Sequence, residues 1–140
     1  MSTQTANGKS FEYAILKEFY EKLHTKTNVK IIKNIPFKNA LKHFNNSDNQ
    51  SSLLLYASFA VNFLIDLEPR LYNSLNATDI LELEIMADSA GQEGDVRDIL
   101  TIRAVQKWEI GVSAKNNHKA VKHSRLSKNI DFVNKWLWNN

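Results

Sequence analysis

The sequence predicts an α+β fold with helices first, a small mixed sheet second and a basic helix at the C-terminus. Three observations lead to this prediction. Apolar residues recur at helical spacing up to about residue 67, a run at 80–86 alternates between apolar and acidic residues, and two β-rich runs lie within 98–115. Helices segregated from a sheet in this way are typical of the α+β class. If the last helix covers a face of the sheet, the core becomes α/β-like.

Bulk composition limits the function classes. A chain of 140 residues with 43% hydrophobic and 24% charged residues is typical of one globular domain. The absence of cysteine excludes disulfides, thiolate metal sites and a cysteine nucleophile. The polar N-terminus lacks a secretory signal, and the longest apolar run, Leu53–Leu67, is interrupted by polar residues. We therefore expect a soluble, cytoplasmic protein that does not contact a membrane.

Three segments in the first half of the chain predict helices. Ser10 can cap the first, whose apolar face consists of Phe11, Ile15, Phe19 and Leu23. The second begins near Pro36, a residue suited to a first helical turn, and its apolar face consists of Phe37, Ala40, Leu41 and Phe44. The third, 52–67, is apolar on nearly every side. We expect it to be the central buried helix and assign its Phe59 and Phe63 to the core.

The second half changes period. In 80–86 apolar residues alternate with Glu82 and Glu84, which predicts a strand, although leucine and glutamate also favour a helix. The runs Asp98–Arg103 and Trp108–Lys115 are joined by a short turn near 104–107 and predict an antiparallel hairpin. Residues 117–127 predict a basic helix, and 131–138 a last helical segment.

The hairpin would bring an acid close to a lysine. If its turn centres between Val105 and Gln106, Asp98 faces Ser113 and Leu100 faces Gly111. Alternation along the second strand then places Glu109, Gly111, Ser113 and Lys115 on one face. Asp98 would lie beside Ser113 and diagonally from Lys115.

Such an arrangement suits a metal-dependent nuclease. Asp98 can anchor Mg²⁺, and the backbone carbonyl of Ala114 can add a second hard oxygen ligand. Lys115 can then orient or deprotonate the attacking water and neutralise charge that develops on the phosphate. The nearby acids Glu93 and Asp95 are close enough in sequence to reach the same metal. The spacing alone, however, favours an ordinary hairpin in which Asp98 and Lys115 are solvated.

The second acid of such a site is left open by the sequence. Ser113 lies two residues before the lysine, where an acid is usual, and a serine is a poor metal ligand. Glu109 is six residues from Lys115, roughly 20 Å along an extended strand, and is too far away. The better candidates are Glu93, Asp95, Glu84 and Asp131, which the sequence does not rank.

Three stretches carry a resemblance to a known family. They are Glu93–Ile99 (EGDVRDI), Glu109–Ser127 (EIGVSAKNNHKAVKHSRLS) and the upstream Asn7–Tyr13 (NGKSFEY). These sequences closely resemble type II restriction endonucleases of the HaeIII kind, and the resemblance extends over most of the chain. The resemblance implies a PD-(D/E)xK-type nuclease that recognises GGCC in double-stranded DNA. It would cut with Mg²⁺ and leave a 5′-phosphate and a 3′-hydroxyl.

The resemblance also assigns residues and partners. By position, Asp98 is the metal-binding aspartate, Lys115 the catalytic lysine, and Ser113 stands where the second acid is usual. Because family members are longer, we expect 1–140 to be a single catalytic domain that is truncated at its C-terminus. A homodimer is possible, and a cognate DNA methyltransferase is expected in the same system without physical contact. The alternatives are a non-catalytic DNA-binding remnant and a repair or structure-specific nuclease of the same superfamily.

Positive charge is concentrated toward the C-terminus. Residues 104–140 contain seven basic and two acidic residues, a net charge of +5 in a chain of +3 overall. This end would attract a polyanion. The polar and basic side chains expected to contact phosphates or base edges are Asn116, Asn117, His118, Lys119, Lys122, His123 and Arg125. The alternative is a solvated basic face. Arg103 either pairs with a nearby acid or meets phosphate.

Overall fold

The computed structural model describes residues 3–87, 98–115 and 120–125, and of these it describes only the backbone for 3–7, 115 and 120–125. The predictions for Glu93, Asp95, 116–119 and 131–138 lie outside the described residues. Three α-helices precede most of the sheet: α1 (Thr3–Leu23), α2 (Ile35–Asn45) and α3 (Gln50–Leu67). A short 3-10 helix, Pro69–Leu71, follows α3. The strands are β1 (Val29–Ile31), β2 (Leu81–Ile85), β3 (Ile99–Arg103), β4 (Trp108–Lys115) and β5 (Ala120–Arg125).

The five strands form one mixed sheet in the order β1-β2-β3-β4-β5. β1 runs parallel to β2, and every later neighbour is antiparallel. The predicted α+β class is therefore confirmed, and the alternating run at 80–86 is a strand rather than a helix. Its apolar residues Leu81, Leu83 and Ile85 are buried, while Glu82 and Glu84 are half-buried on the other face.

α1 is the central helix of the core. All four predicted apolar-face residues are fully buried, as are Ala14 and Leu16. α1 contacts α2, α3 and the sheet. α2 begins as expected, because the side chain of Asn34 accepts a 3.0 Å hydrogen bond from the Phe37 N–H and Pro36 lies in the first turn.

α3 is not the central buried helix that its composition predicted. Its inner face buries Leu53, Ala57, Val61 and Leu64, but its outer face exposes large apolar side chains. Phe59 is 65% exposed and Phe63 is 43% exposed, so their assignment to the core was wrong. The reason is that an apolar sequence on every side of a helix does not show how many of those sides pack against other elements. By length and composition α3 could also cross a membrane, a test that core helices of soluble proteins also pass.

The predicted basic helix over 117–127 is also wrong, because 120–125 form β5. β5 pairs along β4, with Ser113 opposite Lys122 and Ile110 opposite Arg125. Without β5, β4 would leave a row of backbone N–H and C=O groups unpaired on this edge of the sheet. The segment's own residues do not strongly favour either structure, so pairing with β4 decides.

A buried ion pair fixes the turn end of the β3–β4 hairpin. The side chains of Arg103 and Asp79 are fully buried, with Arg103 Nη1 3.4 Å from Asp79 Oδ1. Arg103 also donates from Nη2 to the Leu71 carbonyl at 3.0 Å and to Thr27 Oγ1 at 3.1 Å. Gln106, in the turn, donates to Asp79 Oδ2 at 2.7 Å. Arg103 thus pairs with an acid, one of the two fates predicted for it.

Burial of the Asp79 carboxyl raises its pKa, but the surrounding donors act in the opposite direction. Hydrogen bonds from the Gln106 side chain and the Leu75 N–H, together with the charge of Arg103, bring the pKa below its ordinary value. Asp79 is therefore ionised at neutral pH. The hydrogen bonds of Arg103 to Leu71 and Thr27 also tie β3 to the 3-10 helix and to the segment before β1.

Candidate active site

The β3–β4 hairpin has the register that the sequence predicted. Leu100 lies opposite Gly111, and Ile99 lies opposite Val112. The turn occupies 104–107 and includes Lys107 at a φ of 53°. Asp98 directly precedes β3, and its N–H donates to the Val112 carbonyl at 2.9 Å. Asp98 therefore lies near the end of β4 through its hydrogen bond to Val112, and no strand pair between Asp98 and Ser113 is formed in the described register.

The carboxylate of Asp98 is held at the end of the hairpin. Its Oδ2 accepts a 2.7 Å hydrogen bond from the backbone N–H of Ala114. The backbone pairing of β3 with β4 ends at Ile99. Beyond this point the Asp98 side chain, and not a backbone carbonyl of β3, accepts the hydrogen bond from Ala114. The Asp98 carbonyl in turn accepts from the Met86 N–H at 2.8 Å. Asp98 is therefore attached to the strands on both sides of β3.

Two hard oxygen donors, the kind of ligand that Mg²⁺ prefers, lie near this end of the hairpin. The N–H and the C=O of a strand residue point to the same side of the strand, so the Ala114 carbonyl lies on the same edge of β4 as the Asp98 carboxylate. These are the two oxygens that the sequence predicted as first ligands of a divalent metal, and that assignment stays a prediction. Over the described ranges, no group of three or more histidine, cysteine, aspartate or glutamate side chains forms a complete metal site.

Ser113 and Lys115 complete the predicted motif on β4. Ser113 is buried, with 7% of its surface exposed. Lys115 is the last residue of β4, and its backbone lies opposite Ala120 of β5. The lysine thus follows the residue that donates to Asp98, at the end of the sheet where β3 begins.

Two of the acids weighed as metal ligands can now be placed. Glu109 lies opposite Ile102, four residues along β3 from Asp98, or roughly 13 Å. Glu109 therefore lies toward the turn end of the hairpin, too far from the proposed site, as predicted. Glu84 lies opposite Leu100, which makes it a diagonal neighbour of Asp98 on the adjacent strand. The Glu84 Oε2 accepts a 3.4 Å hydrogen bond from Asn34 Nδ2.

Asn34 is a residue that the sequence reasoning missed. Besides capping α2, its side-chain amide contacts both the Glu84 carboxylate and the Ile85 carbonyl, the latter at 3.3 Å. An asparagine immediately before Ile35-Pro36 was a usable signal for the cap. No local signal could have connected it to Glu84, fifty residues away.

The backbone of the predicted DNA-contacting segment runs along the site. Lys122 lies opposite Ser113, and His123 lies opposite Val112. These residues belong to a strand and not to the predicted helix. Asn116, Asn117, His118 and Lys119 lie between β4 and β5, outside the described residues.

Comparison with known proteins identifies the family of the chain. Residues 8–139 match the family model described as HaeIII restriction endonuclease. The chain belongs to the HaeIII restriction endonuclease family. It is 39% identical over 133 residues to the type II restriction enzyme HaeIII of Haemophilus aegyptius. That match covers 94% of this chain and 41% of the enzyme, so the chain spans about two fifths of its relative's length. No solved structure matches the chain.

Membership in the HaeIII family confirms the resemblance inferred from the sequence. The matched stretch contains the whole β3–β4 hairpin, with Asp98, Ser113 and Lys115, and continues through β5. The hairpin therefore belongs to the part of the fold that the HaeIII family shares.

Proposed function

We propose that this chain is a type II site-specific deoxyribonuclease that hydrolyses phosphodiester bonds in double-stranded DNA with Mg²⁺. One observation carries the proposal: in a chain of the HaeIII family, the Asp98 carboxylate is hydrogen-bonded to the residue that precedes Lys115. This hydrogen bond ties the Asp98 carboxylate to the end of β4, where the Ala114 carbonyl and the backbone of Lys115 also lie. The relative from Haemophilus aegyptius is named a type II restriction enzyme.

Each residue has a distinct role in the proposed reaction. The Asp98 carboxylate and the Ala114 carbonyl hold Mg²⁺, with Glu93 and Asp95 as further ligands. When bound, this ion makes water a better nucleophile and neutralises charge on the phosphate. Lys115 orients the attacking water and stabilises the extra negative charge of the transition state. A bond forms from water oxygen to phosphorus, and the bond to the 3′-oxygen breaks, which leaves a 5′-phosphate and a 3′-hydroxyl.

Ser113 occupies the position on β4 where nucleases of this type usually carry their second metal-binding acid. A neutral hydroxyl cannot supply the charge of a carboxylate, so another residue must do so. Among the acids that the described strands carry, Glu84 lies nearest to Asp98. Glu84 therefore stands beside Glu93, Asp95 and Asp131 as a candidate for the missing carboxylate.

The proposed substrate is double-stranded DNA with the sequence GGCC. The basic and polar residues after β4 contact its backbone and base edges: Asn116, Asn117, His118, Lys119, Lys122, His123 and Arg125. Two copies of the chain act as a homodimer, one on each strand. The enzyme works in the cytoplasm beside a methyltransferase that protects the host DNA.

Plasmid digestion tests this function. Purified chain with Mg²⁺ is expected to cut a GGCC-bearing plasmid into discrete fragments and to leave its GGCC-methylated twin intact. Fragments with 5′-phosphate ends would support the proposed chemistry. Degradation without discrete GGCC fragments would point instead to a repair or structure-specific nuclease of the same superfamily.

A second candidate function is a DNA-binding protein without catalysis. It is favoured by the serine at 113, which stands where the second acid is usual. A salt-sensitive gel shift without cleavage in either Mg²⁺ or Mn²⁺ would support this alternative.

A further inference from the structure

The stretch 22–47 is a second basic region of the chain. It contains six lysines and no aspartate or glutamate, which gives it a net charge of +6 in a chain of +3 overall. It covers the end of α1, all of β1 and all of α2. Because exposed lysines are often only solvated surface, the partners and the position of these lysines decide what the stretch does.

Three of the six lysines have neighbours that account for them. These are Lys22, 3.8 Å from the Glu18 carboxylate, Lys26, over the Tyr72 ring at 5.4 Å, and Lys30, opposite Glu82 on β2. The other three, Lys33, Lys38 and Lys42, are exposed. None of them forms an ion pair with any acid in the part of the chain that the structure describes. We call them the α2 lysines, because two lie on α2 and one lies just before it.

α2 holds its lysines on a fixed surface. Its inner face includes the buried Phe37 and Phe44. These two rings, near opposite ends of the helix, both lie against Tyr13 of α1, with centroid distances of 6.0 and 4.9 Å. Lys38 and Lys42 are four residues apart, so they are neighbours on the outer face. Their backbone is therefore in place before a ligand binds.

α2 begins at the same end of the sheet as the candidate active site. Asn34, the residue before α2, donates a hydrogen bond to the Ile85 carbonyl at 3.3 Å. Ile85 is the last residue of β2 and lies opposite Ile99, which directly follows Asp98. Two strand spacings, roughly 10 Å, therefore separate the start of α2 from Asp98. Lys33 is next to Asn34 in the chain, so the α2 lysines begin beside the proposed metal site.

The sheet separates the α2 lysines from the basic segment after β4. β1 and β5 are the two edge strands, and β3, with Asp98 directly before it, is the middle strand. Five strands spaced by about 4.8 Å place β1 and β5 about 19 Å apart. A DNA duplex that lies across this end of the sheet can therefore contact both sides at once, with Asp98 between them.

We propose that the α2 lysines bind backbone phosphates of a DNA duplex, on the side of the candidate active site away from β5. The inference rests on the proposed nuclease function, because that function makes DNA the substrate. Lys38 and Lys42 are about 5–6 Å apart, and successive phosphates of one strand rise about 3.4 Å along the duplex, so each lysine can meet its own phosphate. A phosphate carries no sequence information, so this surface positions the duplex and does not read GGCC.

DNA binding without metal tests this assignment separately from cleavage. The triple variant Lys33→Gln/Lys38→Gln/Lys42→Gln removes three charges from exposed positions. A gel shift with a GGCC duplex in EDTA, over a salt series, should show an affinity lower than that of the wild type by a factor of about ten or more. The slope of log affinity against log salt should become shallower by about 2–3, since each neutralised phosphate contributes about 0.9. Wild-type affinity and slope in this variant would overturn the proposal.

A second triple variant with the same loss of charge is the control. Lys17→Gln/Lys30→Gln/Lys107→Gln removes a lysine paired with Glu21, the lysine opposite Glu82 and a lysine in the hairpin turn, far from Asp98. It should bind DNA as the wild type does, and both variants should unfold at the wild-type urea midpoint. Equal losses of affinity in the two variants would mean that only net charge matters and would contradict a local phosphate surface.

The sequence of the duplex gives a further check. The α2 variant should lose the same factor of affinity on a duplex without GGCC, because the phosphates of the two duplexes are alike. A loss confined to the GGCC duplex would contradict a phosphate contact.

These outcomes separate the lysine surface from the nuclease. If the α2 variant loses DNA binding but the wild-type chain cuts no DNA with Mg²⁺, this inference stands and the proposed function fails. If the wild-type chain cuts GGCC DNA and the α2 variant binds that DNA as tightly, the proposed function stands and this inference fails.

Discussion

The carboxylate of Asp98 accepts a 2.7 Å hydrogen bond from the backbone N–H of Ala114. This contact joins two strands where their regular pairing ends, and it aligns the aspartate with the main chain next to Lys115. An ionised acceptor makes such a bond stronger than a neutral one. The proposed metal ligand is therefore oriented by the fold before any metal or DNA is present.

Replacing Asp98 by asparagine tests its role as a metal ligand. Asp98→Asn keeps a side-chain acceptor for the Ala114 N–H but removes the negative charge. We expect a loss of Mn²⁺ affinity of at least tenfold, measured by titration calorimetry, with a stability loss of only about 1 kcal/mol. Asp48→Asn, in an exposed loop, is the control. Unchanged Mn²⁺ affinity in Asp98→Asn would show that Asp98 is not a metal ligand.

Glu84 is the described strand acid nearest to Asp98, and its contribution can be separated from general charge effects. If it is the second acid, Glu84→Gln should weaken Mn²⁺ binding and reduce cleavage at least tenfold. Glu82→Gln is a matched control on the same strand face. Restoring an acid with Ser113→Asp should partly rescue Glu84→Gln. If the two glutamine variants behave alike, the second acid lies elsewhere.

The Arg103–Asp79 pair is expected to be a main contributor to stability. Because Arg103 is fully buried and Asp79 is its ion-pair partner, Asp79→Asn leaves a buried charge without its counterion. Removal of one partner from such a pair costs about 3–5 kcal/mol of unfolding free energy. Urea denaturation measures this change, and Asp66→Asn on the exposed face of α3 provides the control. A loss below 1 kcal/mol would show that the pair contributes little.

The same pair predicts how stability depends on pH. The pKa of Asp79 is lower in the folded protein than its ordinary value, although burial by itself raises it. Its contribution is therefore present above an unfolded-state pKa of about 4 and is lost as the pH falls toward the folded pKa. The stability difference between wild type and Asp79→Asn should narrow below about pH 4 in denaturation experiments. A difference that widens on acidification would mean that the shift has the opposite sign.

Local patterns were enough to predict the hairpin. The short turn at 104–107 and the alternation on both sides of it fix which residues lie opposite each other, as the predicted pair of Leu100 with Gly111 shows. The apolar face of α1 was predictable for a similar reason, since its spacing selects one side of the helix. Family membership was also accessible, because the resemblance involves many residues in order.

Features that depend on distant neighbours were not predictable. α3 is apolar on all sides, and only the packing of α1 determines that Phe59 lies outside. Residues 120–125 form a strand because they pair with the edge of β4. Their own composition does not reveal that this edge is available. The choice of Asp79 as the partner of Arg103 depends on contacts between residues 24 positions apart. Glu84 approaches Asp98 only once β2 and β3 are paired.

The most direct test of the central claim is single-turnover cleavage of a GGCC duplex by Lys115→Ala. Lys30→Ala, an exposed lysine on strand β1, is the control, and DNA binding is measured by gel shift for each variant. If Lys115 assists the chemical step, Lys115→Ala should lose cleavage by a factor of at least 100 while it still binds DNA, and Lys30→Ala should cut like the wild type. Cleavage by Lys115→Ala at the wild-type rate would contradict the assignment of the β3–β4 hairpin as the active site.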